Sequence, residues 1–270
     1  MEPRELIDLH AHILYDLDDG ARDRDAMMQM FRTARDEGIR QMVATPHFIA
    51  GANRYDLETL DGRLEQARRL LLEEGIDLTL ERGQELFLDE HLAGELQAGR
   101  ACTLAGTRYL LVEFPLTGIP ADAESILAGL LEEGYLPVIA HPERYREIQQ
   151  NPDVLTELIE MGCLTQLNAG SLTGRHGRTV GDTARTLLIS EMIHLVATDC
   201  HSARSRSPKL RQAWHLVTQL LGENRAKRIF VDNPRLVLED GLISVPQPRY
   251  RQERKPLLNR LMDMFGASPS

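Results

Sequence analysis

The sequence predicts an α/β fold: a seven-stranded, distorted (β/α)7 TIM-like barrel with a metal centre at its C-terminal face. Three observations predict it. Short apolar strands alternate with amphipathic helices seven times along the 270-residue chain, which calls for parallel strands joined by helical crossovers. No Gly-x-Gly-x-x-Gly turn follows any strand, so a dinucleotide-binding sheet has no support. Six of the seven strands end at or beside His, Asp or Glu, and a closed barrel brings such ends to one face.

The first strand is Ile7-Asp8-Leu9-His10-Ala11-His12. Residues two apart on an extended chain share a side, so His10 and His12 can face one point, an economical way to hold a divalent metal. Leu17-Asp18-Asp19-Gly20 has the composition of a turn. Met27, Met30, Phe31 and Ala34 recur at helical spacing before Gly38, and such a methionine stripe reads as core. The second strand, Gln41 to Thr45, runs into Pro46-His47. Leu57, Leu60, Leu64, Ala67 and Leu71 mark a helix closed at Gly75, and a third strand from Leu78 extends to Glu85.

A short helix from about Glu90 to Gly99 follows. The fourth strand, Tyr109 to Glu113, ends on a carboxylate; the fifth, Leu136 to His141, ends on histidine, after a helix through Ile126 and Leu130. Val154, Leu155, Leu158 and Ile159 give the next helix, and Leu164 to Asn168 the sixth strand. A helix around Thr179 to Met192 leads to the seventh strand, His194 to Asp199, with His201 just beyond. Leu210, Ala213, Trp214, Val217 and Leu221 form a covering helix. The reading places the barrel over residues 1–244 and a basic, Pro-containing tail, expected to be mobile, over 245–270.

Composition narrows the function classes. Hydrophobic and charged contents of 42% and 27% are those of an ordinary globular protein. A net charge of −10 argues against a nucleic-acid surface, since a phosphate backbone attracts basic faces. Cys102, Cys163 and Cys200 are odd in number and widely spaced, unlike a disulfide framework. No apolar run approaches the ~20 residues of a membrane span, so a soluble cytoplasmic protein, not an integral membrane one, is expected.

The motifs Asp8-Leu9-His10-Ala11-His12, Thr45-Pro46-His47, Gly83-Gln84-Glu85, Glu113-Phe114-Pro115, His141-Pro142-Glu143-Arg144, Asn168 to Gly174 and Asp199-Cys200-His201 resemble the PHP (polymerase and histidinol phosphatase) superfamily. Within it they resemble the CpsB/CapC-type bacterial protein-tyrosine phosphatases of capsule and exopolysaccharide systems, over roughly residues 5 to 235. The resemblance implies the PHP fold and three divalent metal ions, manganese first, with iron or zinc as alternatives. It implies that His10, His12, Glu85 and Asp199 hold one metal. Glu85 would bridge to a second, held also by Glu113 and His141. Asp19, His47 and His201 would hold the third.

The implied reaction is hydrolysis of phosphotyrosine by a metal-activated water, on a partner such as the C-terminal tyrosine cluster of a bacterial tyrosine autokinase. Mixed imidazole and carboxylate shells suit Mn²⁺, Fe²⁺ or Zn²⁺, and clustered cations lower the pKa of a bound water. Arg144 and Arg206 are the candidate phosphoryl clamps, Arg206 being preferred to its neighbour Arg204. His91, His176, His194 and His215 match no motif and read as surface or packing residues. Asn168 either binds a ligand or turns the chain. Two departures from the family pattern stand out. Thr198-Asp199-Cys200-His201-Ser202 replaces the commoner Ser-Asp-Ala-His-Asn, and Phe48 follows His47 where His or Tyr is frequent.

Two rival reactions share these residues. Another PHP phosphoesterase, such as a histidinol-phosphate phosphatase, would use the same ligands. Cys200 to Ser207 also satisfies Cys-x5-Arg-Ser, the phosphate loop of cysteine-dependent tyrosine phosphatases, with Cys200 as nucleophile and Arg206 as clamp. Against it, that loop has no glycine, and Cys102 with Arg108 shows the same spacing by chance.

Overall fold

The structure, a computed structural model, describes residues 5–115, 118–246 and 248. Its elements are β1 (Leu6–Ala11), α1 (Arg24–Asp36), β2 (Ile39–Ala44), β3 (His47–Phe48), α2 (Leu57–Glu73), β4 (Thr79–Arg82), β5 (Glu85–Phe87), α3 (Leu92–Gln97), β6 (Tyr109–Glu113) and α4 (Ala123–Glu132). They continue with β7 (Leu136–Ala140), α5 (Arg146–Gln150), α6 (Asp153–Met161), β8 (Leu164–Asn168), α7 (Ala169–Leu172), α8 (Arg178–Ile189), β9 (Leu195–Ala197), α9 (Arg211–Leu221), α10 (Glu223–Lys227) and α11 (Asn233–Leu238).

Helix starts follow local chemistry. Asp23 and Asp56 sit in extended backbone before α1 and α2, and their carboxylates accept from the Ala26 and Thr59 N–H groups. The stripe Met27, Met30, Phe31 and Ala34 is buried on α1, each large side chain contributing about 1.5–3 kcal/mol by leaving water. Pro208 and Lys209 precede α9, whose buried face carries Ala213, Trp214 and Val217.

All strand pairs are parallel, as the alternation requires. The closed seven-stranded barrel, however, is corrected. Among the described residues the strands form a three-stranded sheet, β1-β2-β4, and a six-stranded sheet, β3-β5-β6-β7-β8-β9. The expected second strand is followed by a further short one, and the expected third strand is split. Pro46 has no N–H to donate and separates β2 from β3; Gly83-Gln84 separates β4 from β5. A Cβ at Gly83 would lie 2.7 Å from Val43 Cγ1, so only glycine fits that crossing. The sheets stay in register across the break, with Gly83 N–H donating to Ala44 O and Glu85 N–H to Pro46 O. On the far side β1 meets β9 only past the end of β9, where His12 N–H donates to Cys200 O and Asp199 N–H to His10 O.

The apolar core has two parts. The larger packs the helices on the outer sheet faces. The smaller gathers Ile7, Leu9, Val43, Tyr109, Leu111, Val138, Leu164 and Leu195 from the inner faces. On β6 the inner set Tyr109, Leu111 ends on Glu113, and on β8 Leu164 is followed on the same side by Gln166 and Asn168. The inner face therefore turns from apolar to polar toward the strand ends, which sets a polar site on an apolar floor.

Candidate metal centre

Glu85 is the hub. It is the first residue of β5, immediately after the Gly83-Gln84 break, and is almost fully buried. Its Oε2 lies 3.2 Å from His10 Nε2, 3.1 Å from His12 Nε2 and 3.1 Å from His47 Nδ1. Its Oε1 lies 3.1 Å from His141 Nε2, which is also 3.3 Å from Glu113 Oε1. Asp199 Oδ1 lies 3.6 Å from His10 Nε2 and 3.4 Å from His201 Nδ1. On the open side Asp19 Oδ1 is 3.5 Å from His47 Nε2 and 3.3 Å from His201 Nε2. The nine side chains singled out in the sequence thus meet in one place.

The strand ends are bent to aim these groups. Pairing of β1 with β2 slips between Asp8 and Ala11, the stretch that carries His10. His141 and Asp199 both have left-handed backbone, with φ of 35° and 49°. That conformation costs a non-glycine residue about 1–2 kcal/mol and persists where surrounding structure holds it.

Hydrogen bonds fix the rings. Asp18 Oδ2 accepts from His12 Nδ1 at 2.6 Å and Gln166 Oε1 from His10 Nδ1 at 2.9 Å, so each ring turns Nε2 inward. Asp18 Oδ2 also accepts from His47 N–H and Asp18 Oδ1 from Gly20 N–H. Deeper, Asp8 takes both the Thr198 N–H and its hydroxyl, which ties β1 to the end of β9. Glu143 Oε1 accepts from Asn168 N–H and Ser171 Oγ. Sequence reasoning assigned none of these supporting roles. Gln166 was findable, since it lies two residues before Asn168 on one strand face; Asp18 looked like a turn former beside Asp19.

The electrostatics are those of interleaved acids and bases. Burial raises the Asp8 carboxyl to about 6. Burial opposes protonation of His141, but Glu113 and Glu85 outweigh it and carry the imidazole to about 9. Burial would raise Asp199, yet the surrounding His10, His141 and Arg206 hold it well below the usual carboxylate range.

Three groups of donors could hold a metal ion: His12, Asp19, His47 and His201; His10, His12 and Glu85; and His47, Glu85 and Glu113. Within each, the ligand atoms lie within 4.8 Å of one another. The residues fit divalent cations by chemistry too. They are imidazoles and carboxylates without thiolate, and buried His201 Nε2 has only the Asp19 carboxylate beside it, 3.3 Å away and outside hydrogen-bond geometry. The grouping differs from the one the resemblance implies. His12 also sits with the Asp19 set, and His47 joins Glu85 and Glu113 alongside His141, which lies within 3.3 Å of both.

Arg144 and Arg206 flank the cluster. Arg144 Nη1 lies 3.3 Å from Asp199 Oδ2 and Arg206 Nη2 2.6 Å from Asp199 Oδ1, whereas Arg204 is exposed. Asn168 does turn the chain, accepting from Gly170 N–H, and also donates to Asp199 Oδ2 at 2.8 Å. The thiol reading is corrected. Cys200 is fully buried, and burial pushes its thiol well above the ordinary range. A thiol kept protonated is a poor nucleophile.

Fold and donor set together define a parallel α/β protein built around a cluster able to hold several divalent cations. The chain belongs to the CpsB/CapC family of capsular polysaccharide synthesis, whose model matches residues 6–239. It is 34% identical to the tyrosine-protein phosphatase YwqE of Bacillus subtilis, over 97% of this chain and 99% of that one. It is 32% identical to the tyrosine-protein phosphatase CpsB of Streptococcus pneumoniae, over 88% of this chain and all of that one. A crystal structure from work on YwqE and CpsB, described there as metal-dependent tyrosine phosphatases, matches with a TM-score of 0.88. It is 33% identical and covers 92% of this chain and 100% of the other. A β-aspartyl dipeptidase from Fervidobacterium islandicum, 14% identical with a TM-score of 0.52 over 91% of this chain and 77% of that one, shares the fold alone.

Proposed function

We propose that this chain is a metal-dependent protein-tyrosine phosphatase. The observation that carries the reading is the convergence of nine imidazoles and carboxylates in one cluster with Glu85 at its hub, beside two arginines on Asp199. The names of its relatives point the same way. His10, His12, Asp19, His47, Glu85, Glu113, His141, Asp199 and His201 are the proposed ligands of three divalent ions per chain, manganese first, with iron or zinc as alternatives. When bound, such ions supply a water nucleophile of lowered pKa and neutralise charge on the phosphoryl oxygens. Arg144 and Arg206 bind the remaining phosphoryl oxygens and stabilise charge that grows there. Asp199, itself held by Asn168, keeps those guanidinium groups in place. Asp18 and Gln166 keep the His12 and His10 rings in the tautomer that leaves Nε2 free to ligate. A tyrosine leaving group, with a pKa of about 10, departs with little help from an acid.

The proposed substrate is a phosphotyrosine-bearing protein, namely the C-terminal tyrosine cluster of a bacterial tyrosine kinase, met in the cytoplasm. Among the described residues no helix is long and apolar enough to cross a membrane. We read the two sheets, whose strand ends meet at one site, as an opened and distorted (β/α)7 barrel. The phosphatase unit is taken as residues 1–244. The tail of 245–270 lies almost wholly outside the described residues. The test is hydrolysis of a phosphotyrosine peptide after chelation and after Mn²⁺ add-back. The expected result is loss and then recovery, with His10→Ala inactive in both. Full turnover by the chelated protein, or strong preference for histidinol phosphate, refutes the reading.

A further inference from the structure

Arg175 lies in the loop between α7 and α8, a position the sequence did not mark. Its N–H donates to Gly170 O at 2.9 Å, folding the loop back over the start of α7. Its side chain runs across Gly170. A Cβ there would sit 3.2 Å from Arg175 Cδ and 3.4 Å from Nε, so the glycine leaves the room the arginine stem occupies. Gly170 N–H donates to Asn168 Oδ1, and Asn168 Nδ2 donates to Asp199 Oδ2. Arg175 is thereby tied, through Gly170 and Asn168, to the carboxylate that Arg144 and Arg206 also hold.

Its situation differs from that of those two arginines. Each of them reaches Asp199, and the nearby exposed Arg178 lies 3.5 Å from Asp182. Arg175 is exposed and has no carboxylate within ion-pair distance among the described residues. It nevertheless feels the site. Partial enclosure and the neighbouring Arg206 lower its pKa, against the pull of Asp199. His176 beside it adds no charge at neutral pH, because burial and Arg144 push its imidazole down to about 4. The net result is an uncommitted guanidinium on the rim, in a protein whose net charge of −10 repels acidic peptides elsewhere.

We propose that Arg175 is a specificity-determining residue that binds an anionic group of the substrate protein next to the phosphotyrosine. This rests on the phosphatase reading and adds the chemistry of the flanking sequence. A guanidinium presents a planar fork of donors that suits a carboxylate or a phosphate, so the anion is either an acidic side chain or a second phosphotyrosine.

The test uses metal-loaded full-length protein and peptides carrying a non-hydrolysable phosphonomethyl analogue of phosphotyrosine. The residues on both sides are Ser, Asp, Lys or a second copy of the analogue. The wild type is expected to bind at least one anionic peptide about tenfold more tightly than the Ser peptide. Arg175→Ala is expected to bring that ratio close to one, and Arg175→Glu to reverse it in favour of Lys-flanked peptide. Whichever anion loses its advantage identifies the natural one. An equal loss for all peptides, or an unchanged ratio in Arg175→Ala, overturns the proposal. Turnover of the hydrolysable peptides by the wild type is scored separately, so failure of the phosphatase reading shows as binding without hydrolysis.

Discussion

Asp18→Asn isolates the contribution of a residue that ligates nothing in the proposed site. Asp18 accepts three hydrogen bonds: His12 Nδ1 at 2.6 Å and His47 N–H at 3.0 Å on Oδ2, and Gly20 N–H at 2.9 Å on Oδ1. Asparagine has one acceptor oxygen. If the amide nitrogen takes the Oδ2 position it faces two donors; if it takes the Oδ1 position it faces only Gly20 N–H. The second orientation is favoured. It keeps the His12 bond but turns a charge-assisted bond into a neutral one and leaves Gly20 N–H without its partner. A bond to a charged group contributes about 1.5–3 kcal/mol and a neutral one about 0.5–1.5, so about 2 kcal/mol is lost overall. If that loss falls on holding His12 in its ligating pose, it corresponds to about thirtyfold, inside the 10–100-fold range for residues that orient metal ligands. The assay is aryl phosphate turnover against Mn²⁺ concentration, starting from chelated protein. The half-saturating concentration should rise about thirtyfold, with most of the maximal rate recovered at high metal. Superimposable titration curves for wild type and Asp18→Asn would refute the role given to Asp18.

Arg206→Ala should lower kcat/KM on phosphotyrosine peptide about a hundredfold with circular dichroism unchanged, since it removes a charged donor now 2.6 Å from Asp199; activity within threefold of wild type counts against the clamp. Cys200→Ala should keep at least half the activity, because the buried thiol is held protonated, and a collapse of turnover in a folded variant would reinstate the thiol mechanism. His194 is buried against Thr165, and burial together with Arg225 lowers its pKa to about 4. Below its unfolded value of about 6.5 the unfolded chain binds a proton that the folded chain refuses. Stability therefore falls as pH drops from about 6.5 toward 4, by about 2 kcal/mol at pH 5. Urea unfolding of wild type and His194→Gln at pH 7 and pH 5 should show that increment only in the wild type; parallel losses would contradict it.

Much of the chemistry was legible along the chain. Short apolar runs followed at once by His47, Glu85, Glu113, His141 and Asp199 mark both the strands and their active edge, because pattern and polarity are local properties. Closure of the sheet was not legible. It depends on whether β1 pairs with β9, which among the described residues it does only through the Ala11–Cys200 bridge past the end of β9, and sequence pattern says nothing of that pairing. His194, placed by the sequence among surface or packing residues, is buried against Thr165, whereas His176 lies in the field of Arg144 and Asp199.

The sequence by itself determined the donor types, their order along the chain and the alternation that places them at strand ends, since these follow from residue identity and from short-range periodicity. Only the tertiary structure decided that Glu85 is the hub, that Asp18 and Gln166 set the histidine tautomers, and that Arg144 and Arg206 share Asp199 while Arg175 has no such partner among the described residues. Those are relations between groups 6 to 156 residues apart. Their distances are fixed by the packing of whole strands and by bends at His141 and Asp199, and no local propensity encodes them.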